Sequence, residues 1–153
     1  MYDSDRYNRR EGPPTPAEFQ RLRAAAGMSE RPRDGVERGL PNSLYAVRMV
    51  DTDADPDAVD AADASVTDGE VVGMARVVGD GRSVYHVCDM AVHPDHQRRG
   101  LGTALLRAVD AFVDDDAPPG AYVNLLADVD GFYERFGYEE TRPASTGMYR
   151  RVE

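Results

Sequence analysis

The sequence contains no lysine, so all 18 of its basic residues are arginines. This absence excludes the phosphate-binding P-loop, because its Gly-Lys-Ser/Thr signature requires a lysine that reaches the phosphates. A dinucleotide-binding fingerprint is excluded as well, since it needs a glycine three residues after Gly102, where the chain has Leu105. Two well-known phosphate-binding motifs are therefore absent.

Cysteine and long apolar runs are equally scarce. The single cysteine, Cys88, cannot form an internal disulfide. No run approaches the roughly 20 apolar residues of a membrane span, and residues 1–6 lack the apolar core of a signal peptide. The 153 residues match the size of one compact domain. We therefore expect a single cytoplasmic domain over residues 1–153.

The charge is strongly one-sided, with 28 acidic residues against 18 arginines and a net charge of −10. Such a surface repels nucleic acid and anionic membranes, so we expect neither as a partner. Aspartate exceeds glutamate, and an Asp-rich surface stays soluble where salt screens its self-repulsion. We take this as a hypothesis of a halophilic source. A GC-rich genome would also favour arginine over lysine, so the excess of aspartate is the stronger observation.

Hydrophobic periodicity predicts an α/β fold in which helices come first, then an antiparallel meander, then strand, helix, strand and helix. The predicted strands cover residues 2–10, 43–50, 70–78, 83–92, 121–126 and 147–152, and the predicted helices cover residues 16–26, 33–39, 101–113 and 131–136. Residues 51–68, rich in Asp and Ala, are predicted to form an acidic exposed loop.

A basic, glycine-containing turn lies between the fourth predicted strand and the long helix. Residues 97–102 read Gln-Arg-Arg-Gly-Leu-Gly. A helix N-terminus offers unpaired N–H groups and the positive end of the helix dipole. Gly100 and Gly102 allow close backbone approach, while Arg98 and Arg99 carry fork-shaped cations suited to phosphate. The turn is therefore predicted to bind a phosphate.

This turn resembles the cofactor motif Gln/Arg-x-x-Gly-x-Gly/Ala of the GNAT superfamily of N-acetyltransferases. A second segment, residues 131–138 with the sequence Gly-Phe-Tyr-Glu-Arg-Phe-Gly-Tyr, is similar to the family's later Phe-Tyr-x-x-Phe-Gly-Phe/Tyr. The resemblance is clearest over residues 43–152. It implies a GNAT-like fold, with a mostly antiparallel mixed sheet of six to seven strands flanked by about four helices.

The resemblance also implies acetyl-CoA as co-substrate, with its pyrophosphate on the backbone amides of the turn. A bulge in the fourth strand would aim an N–H near Met90 or Ala91 at the thioester carbonyl. Tyr133 would protonate the leaving thiolate, since a phenol of pKa about 10 and a thiol of pKa about 8.5 make that step roughly balanced. The implied cofactor-binding residues are Met90, Ala91, Val92, Gln97, Arg98, Arg99, Gly100, Leu101, Gly102, Thr103, Phe132 and Arg135.

The general base is open between two residues, Asp89 and His86, and either of them could deprotonate the amine directly or through water. Successive side chains of a strand point to opposite faces, so Asp89 and His86 lie on opposite faces of the sheet unless the bulge changes this. We therefore expect only one of them to act as the general base. No metal is expected, because the histidines and Cys88 lack the paired spacing of a zinc site.

The predicted activity is transfer of an acetyl group from acetyl-CoA to a primary amine of an unidentified small molecule, by direct attack on the thioester. The acceptor would enter near residues 26–33 and 143–147. One alternative is an acyl-CoA-binding regulatory domain without catalysis, and another is an N-acetyltransferase for proteins or peptides. A homodimer is left open, since relatives often dimerise.

Overall fold

One five-stranded sheet organises the part of the chain that the computed structural model describes, residues 1–54 and 69–153. Its strands, in spatial as well as chain order, are β1 (Tyr7–Glu11), β2 (Tyr45–Asp51), β3 (Glu70–Gly79), β4 (Val84–Val92) and β5 (Tyr122–Asn124). The first four strands pair antiparallel, and β5 runs parallel to β4. The helices are α1 (Pro16–Ala25), α2 (Arg33–Gly39) and α3 (Leu101–Asp116), and 3-10 turns cover Leu40–Asn42, Pro94–His96 and Tyr133–Phe136.

Helix α1 begins at a capping box. The Thr15 hydroxyl accepts a hydrogen bond from the Glu18 N–H at 3.2 Å, and the Glu18 carboxylate accepts one from the Thr15 N–H at 3.4 Å. Phe19 and Leu22 then lie on one helical face and are fully buried. They pack with residues of α2, β2, β3 and β4 in a cluster that covers one face of the sheet.

Helix α3 covers the opposite face. Its Leu105, Leu106 and Val109 have no exposed surface and join the inward side chains of β2, β3 and β4 in the main core cluster. The sheet therefore lies between the α1–α2 layer and α3, and the turn that begins α3 lies at the end of β4.

Strand β4 carries a bulge. Met74 pairs with Ala91 and Arg76 pairs with Cys88, so Asp89 and Met90 together lie opposite one β3 residue. Asp89 adopts a left-handed φ of 51°. Because a bulge adds one residue to the strand, every side chain beyond it points to the opposite face of the sheet from the one that simple alternation predicts. Accordingly, Tyr85 and Val87 before it and Met90 after it pack on the α3 side.

Several expectations about the fold are corrected. The described residues form five strands and three α-helices, fewer than the six to seven strands and about four helices expected. Residues 147–152 do not form a strand: Met148 and Tyr149 are 90% and 84% exposed. Alternating apolar residues indicate which face of a segment would be buried, but they do not provide a strand for it to pair with. The edge strand β5 is only three residues long and offers little to pair with.

The expected helix at residues 131–136 is a single 3-10 turn. Gly131 and Gly137 both have left-handed φ angles, which leaves too few residues between them for an α-helix. Strand β5 is shorter than the predicted 121–126, and it is partly exposed because it lies at the edge of the sheet. The acidic loop expected at residues 51–68 lies, from residue 55 on, outside the described residues. Among the described helices, none is both long and apolar enough to cross a membrane.

Candidate functional site

The turn that begins α3 presents a row of backbone N–H groups. Gly100 caps the helix with a φ of +83°, and the first helical bond runs from the Ala104 N–H to the Gly100 carbonyl at 3.0 Å. The N–H groups of residues 98–103 donate to no acceptor in the described ranges. A side chain at position 100 would be strained and would come within 3.2 Å of the backbone of Met1 and Tyr2. Glycine is therefore required here by conformation and by space.

The side chains of the turn divide into an anchor and an exposed basic surface. Gln97 turns back to donate from Nε2 to the Val92 carbonyl at 3.0 Å, which ties the turn to the end of β4. Arg98 is exposed with a φ of 57°, and Arg99 is exposed beside the Asp95 carbonyl. Neither guanidinium pairs with a carboxylate of the described residues. Unpaired N–H groups and two exposed guanidinium groups are the donors that suit an anion, as the sequence predicts for this turn.

A polar network that the sequence did not indicate supports the turn from below. The Tyr7 hydroxyl lies 3.0 Å from His96 Nδ1. The Asp51 carboxylate, 2% exposed, pairs with Arg6 at 2.7 Å and lies 3.7 Å from the same His96 nitrogen. Burial lowers the pKa of His96, and the Arg6 hydrogen bond lowers the pKa of Asp51. These contacts join strands β1 and β2 to the turn at Pro94–His96.

A second group of predicted site residues meets where β4 and β5 separate. Their pairing ends at His86 and Asn124. Beyond that point the Tyr133 hydroxyl lies 3.8 Å from the Met90 sulfur, at the bulge. A Cβ on Gly102 would lie 3.6 Å from the Phe132 ring and 3.8 Å from the Met90 side chain. The structure thus brings the bulge, the start of α3 and the Tyr133 turn together.

Tyr133 is buried, with 8% of its surface exposed. Burial raises its pKa, and the nearby Asp128 raises it further. The phenol is therefore held in its protonated form. Arg135 is exposed, and its guanidinium lies 5.1 Å from the centre of the Phe132 ring. Ala91 and Val92 follow Met90 on β4, with Ala91 in the α1-side cluster and Val92 against the α3 side.

The two candidate bases have very different surroundings. Each Asp89 carboxylate oxygen lies 2.6 Å from a guanidinium nitrogen, one of Arg23 and one of Arg76. Arg23 and Asp89 side chains are only 3% and 5% exposed. His86 is partly exposed, and its Nδ1 lies 2.5 Å from the Asn124 amide oxygen. Because that oxygen can only accept, Nδ1 carries the ring proton of neutral His86 and Nε2 is the basic nitrogen.

A cavity of about 690 Å³ lies apart from the turn, between the C-terminal half of α3, β5 and residues 125–147. It touches Tyr133, but residues 97–103 do not line it. Its walls include Asp110, Asp114 and Glu139, so it disfavours phosphate groups. In the described ranges, no three His, Cys, Asp or Glu side chains cluster as metal ligands would.

Comparison with known proteins gives a consistent result. Residues 61–140 match the family model for the acetyltransferase (GNAT) domain. A chloroplastic GCN5-related N-acetyltransferase 2 from Arabidopsis thaliana is 27% identical over 86% of this chain. The match covers 53% of that relative, so the chain spans about half its length.

Solved structures resemble the whole described fold. A protein of unknown function from meticillin-resistant Staphylococcus aureus, described as a probable acetyltransferase, is 31% identical, with 95% of this chain and 99% of that chain covered and a TM-score of 0.82. A GNAT family acetyltransferase from Brucella melitensis, solved in complex with acetyl-CoA, is 21% identical, with 88% and 83% covered and a TM-score of 0.58. The family model and the 31% identical relative, together with the N–H-rich turn and the bulged strand, show that this chain belongs to the GNAT acetyltransferase family.

Proposed function

We propose that this protein transfers the acetyl group of acetyl-CoA to a primary amine of a small molecule. The observation that carries the proposal is the meeting of three features: an N–H-rich turn, a bulged strand and a buried tyrosine. The Brucella relative, which has the same fold and binds acetyl-CoA, supports the choice of cofactor.

The residues present fit this cofactor. Backbone amides of residues 98–103 would hold the pyrophosphate, and Arg98 and Arg99 would add two cations beside it. Gly102 leaves space between the start of α3 and the Phe132 ring, where the pantetheine arm would pass. Acetyl-CoA supplies the activated thioester carbonyl. A backbone N–H freed by the bulge near Met90 would stabilise negative charge on the carbonyl oxygen.

Tyr133 is proposed as the general acid. A phenol with an ordinary pKa of about 10 is protonated at neutral pH, and burial raises the pKa of Tyr133 further. Its hydroxyl lies next to Met90 at the bulge. It is therefore poised to donate a proton to the departing thiolate. The tyrosinate then regains a proton from solvent, and this proton balances the one that the attacking nitrogen releases through the base as the amide forms.

Of the two base candidates, His86 is favoured. Asp89 would have to accept a proton while both of its oxygens are held by guanidinium groups, so we propose Asp89 as a positioning residue for the bulge. His86 has a basic Nε2 that accepts a hydrogen bond from no described group. It lies four residues before Met90, or roughly 13 Å along a strand, so the proton would pass through water.

A thiol-release assay tests the proposed activity. Acetyl-CoA is mixed with the protein and a panel of small amines, polyamines, amino acids and peptides, and free thiol and acetylated product are both quantified. Equal amounts of thiol and acetyl-amine are expected for at least one small amine. Acetyl-CoA binding without product from any amine would contradict the transfer.

We further propose that the protein works in a high-salt cytoplasm, because its net charge of −10 is self-repelling at low ionic strength. Thermal unfolding in rising KCl tests this. The melting temperature should climb well beyond the roughly 0.15 M of ordinary cytoplasm. A melting temperature that falls with added salt would contradict the proposal.

A further inference from the structure

A group of arginines gathers beside the bulge on the α1 side of the sheet, away from the phosphate turn. We define the arginine cluster as Arg23, Arg31, Arg76 and Arg151, with Asp89 as its carboxylate. Arg23 and Arg76 each hold one Asp89 oxygen at 2.6 Å. Arg23 also donates to the Ser29 carbonyl at 2.9 and 2.7 Å, and Arg151 donates to the Ser29 hydroxyl at 2.6 Å. The cluster therefore joins α1, the α1–α2 loop, β3, β4 and the C-terminal segment.

The members act on one another electrostatically. Arg31 and Arg151 both lower the pKa of Arg23, after burial, which is the larger cause. Arg31 and Arg76 likewise act on Cys88, the β4 residue before Asp89. Two guanidinium groups thus hold the Asp89 carboxylate, and two more lie close enough to act on Arg23, a local excess of positive charge in a chain whose net charge is −10.

The excess positive charge of the arginine cluster lies on Arg31 and Arg151. Neither Arg31 nor Arg151 forms an ion pair with a carboxylate of residues 1–54 or 69–153, although acidic residues abound in this chain. Arg31 is partly exposed and Arg151 is exposed, so an external group can reach both. Like charges held close together are costly unless an anion joins them.

We propose that the cluster binds an anionic group, a carboxylate or a phosphate, on the acceptor amine. This inference rests on the proposed acetyl transfer and names its substrate class. Arg23 and Arg76 hold Asp89 at the bulge itself, and Arg151 contacts Ser29, whose carbonyl Arg23 also holds. An oxyanion held by Arg31 and Arg151 would therefore lie beside the bulge. The amine of the same molecule can then reach the thioester.

The cluster also helps with chemistry. A primary amine is an ammonium ion at neutral pH and must lose a proton before it attacks. Neighbouring guanidinium groups disfavour the ammonium form and so lower the pKa of the bound amine. The anionic anchor offsets the cost of bringing that amine close to the cations, so a weak base such as His86, acting through water, suffices.

Matched pairs of amines test the inference. Tyrosine is compared with tyramine, and phosphoethanolamine with ethanolamine, by initial rates of acetyl transfer. In at least one pair the anionic member should have a kcat/KM at least about tenfold higher, the effect of one charge-assisted contact. The tyrosine pair reports a carboxylate and the ethanolamine pair a phosphate. A neutral member that is as good or better in both pairs overturns the inference.

Three variants refine the test. Arg31→Gln and Arg151→Gln should raise KM for the preferred anionic amine about tenfold, with little change for its neutral partner. Arg38→Gln, on the exposed surface of α2 with an 81% exposed side chain, is the matched control and should change neither. Equal effects on both members of a pair, or no effect on either, would overturn the inference.

If none of these amines is acetylated, a binding measurement tests the inference instead. Each amine is titrated calorimetrically into protein saturated with acetyl-CoA. The inference is supported if an anionic amine gives binding heat with the wild-type protein, while its neutral partner gives none and the Arg31→Gln variant gives none with the anionic amine. If neither anionic amine gives such heat, the inference is overturned. Acetyl transfer to neutral amines alone would leave the proposed function standing while this inference fails. Absence of acetyl-CoA binding would instead remove the proposed function.

Discussion

The hydroxyl of Tyr133 lies 3.8 Å from the sulfur of Met90, so the 3-10 turn after β5 and the bulge of β4 meet at one point. The two residues are 43 positions apart in the chain. This contact places a buried phenol next to the strand from which a backbone N–H would face a thioester. It makes Tyr133 the side chain whose removal is most informative.

Replacing Tyr133 with phenylalanine should lower kcat by about 10²-fold, because a positioned general acid contributes at least that much. Affinity for acetyl-CoA should change little, since the ring and its packing remain. Steady-state thiol release gives kcat, and calorimetry gives the affinity. Tyr149→Phe, at an 84% exposed tyrosine, is the control and should match wild type. An unchanged kcat in Tyr133→Phe would remove the tyrosine from the mechanism.

Gly100→Ala should weaken acetyl-CoA binding and destabilise the fold. The left-handed φ of +83° costs an alanine about 1 kcal/mol, and the new methyl group meets the backbone of Met1 and Tyr2. Gly120→Ala is a matched control, because Gly120 has a φ of +85° and nothing within 4 Å of its Cβ position. Both variants should lose the stability that a left-handed φ costs an alanine, Gly100→Ala should lose more because its methyl group meets Met1 and Tyr2, and only Gly100→Ala should lose affinity. Equal affinity in both would argue against binding at the turn.

Asp89→Asn and His86→Gln separate positioning from proton transfer. Asp89→Asn leaves two guanidinium groups without their carboxylate and should cost about 3 kcal/mol of unfolding free energy. His86→Gln should retain stability and lower kcat by about 10²-fold, the contribution of a positioned general base. The surviving Asp89→Asn enzyme should keep most of its kcat. The reverse pattern, with kcat lost only in Asp89→Asn, would make Asp89 the base.

Cys88 should be inert in the folded protein. Burial, and secondarily Asp89, raises the pKa of its thiol to about 12, so the thiolate is scarce at pH 8. Alkylation by iodoacetamide should therefore be on the order of 10³-fold slower than in the denatured chain, whose cysteine has a pKa near 8.5. Raising the pH should speed alkylation of the folded protein steadily beyond pH 9. Equal rates in folded and denatured protein at pH 8 would contradict this.

The sequence predicted local features well. The start of α1 at Pro16, helix α2 at its observed bounds and the glycine turn before α3 all depend on residues close together in the chain. The bulge at Asp89 was expected only through the family resemblance, because nothing in the strand's alternation marks it.

The sequence could not predict contacts between distant residues. Arg23 meets Asp89 across 66 positions, and Tyr7 meets His96 across 89. Both contacts exist only once the sheet is formed. The same limitation explains the wrong prediction of a last strand at residues 147–152, since alternation shows which side chains are apolar and not whether a neighbouring strand is available.

Calorimetric titration with acetyl-CoA tests the phosphate turn most directly. Wild-type protein should bind one equivalent, and the Arg98→Gln/Arg99→Gln double variant should bind at least about tenfold more weakly at the same salt concentration. Arg33→Gln/Arg38→Gln, which removes two charges from the exposed surface of α2, should bind as wild type does. No heat from wild type, or equal affinities for all three proteins, would show that residues 97–103 do not hold the cofactor.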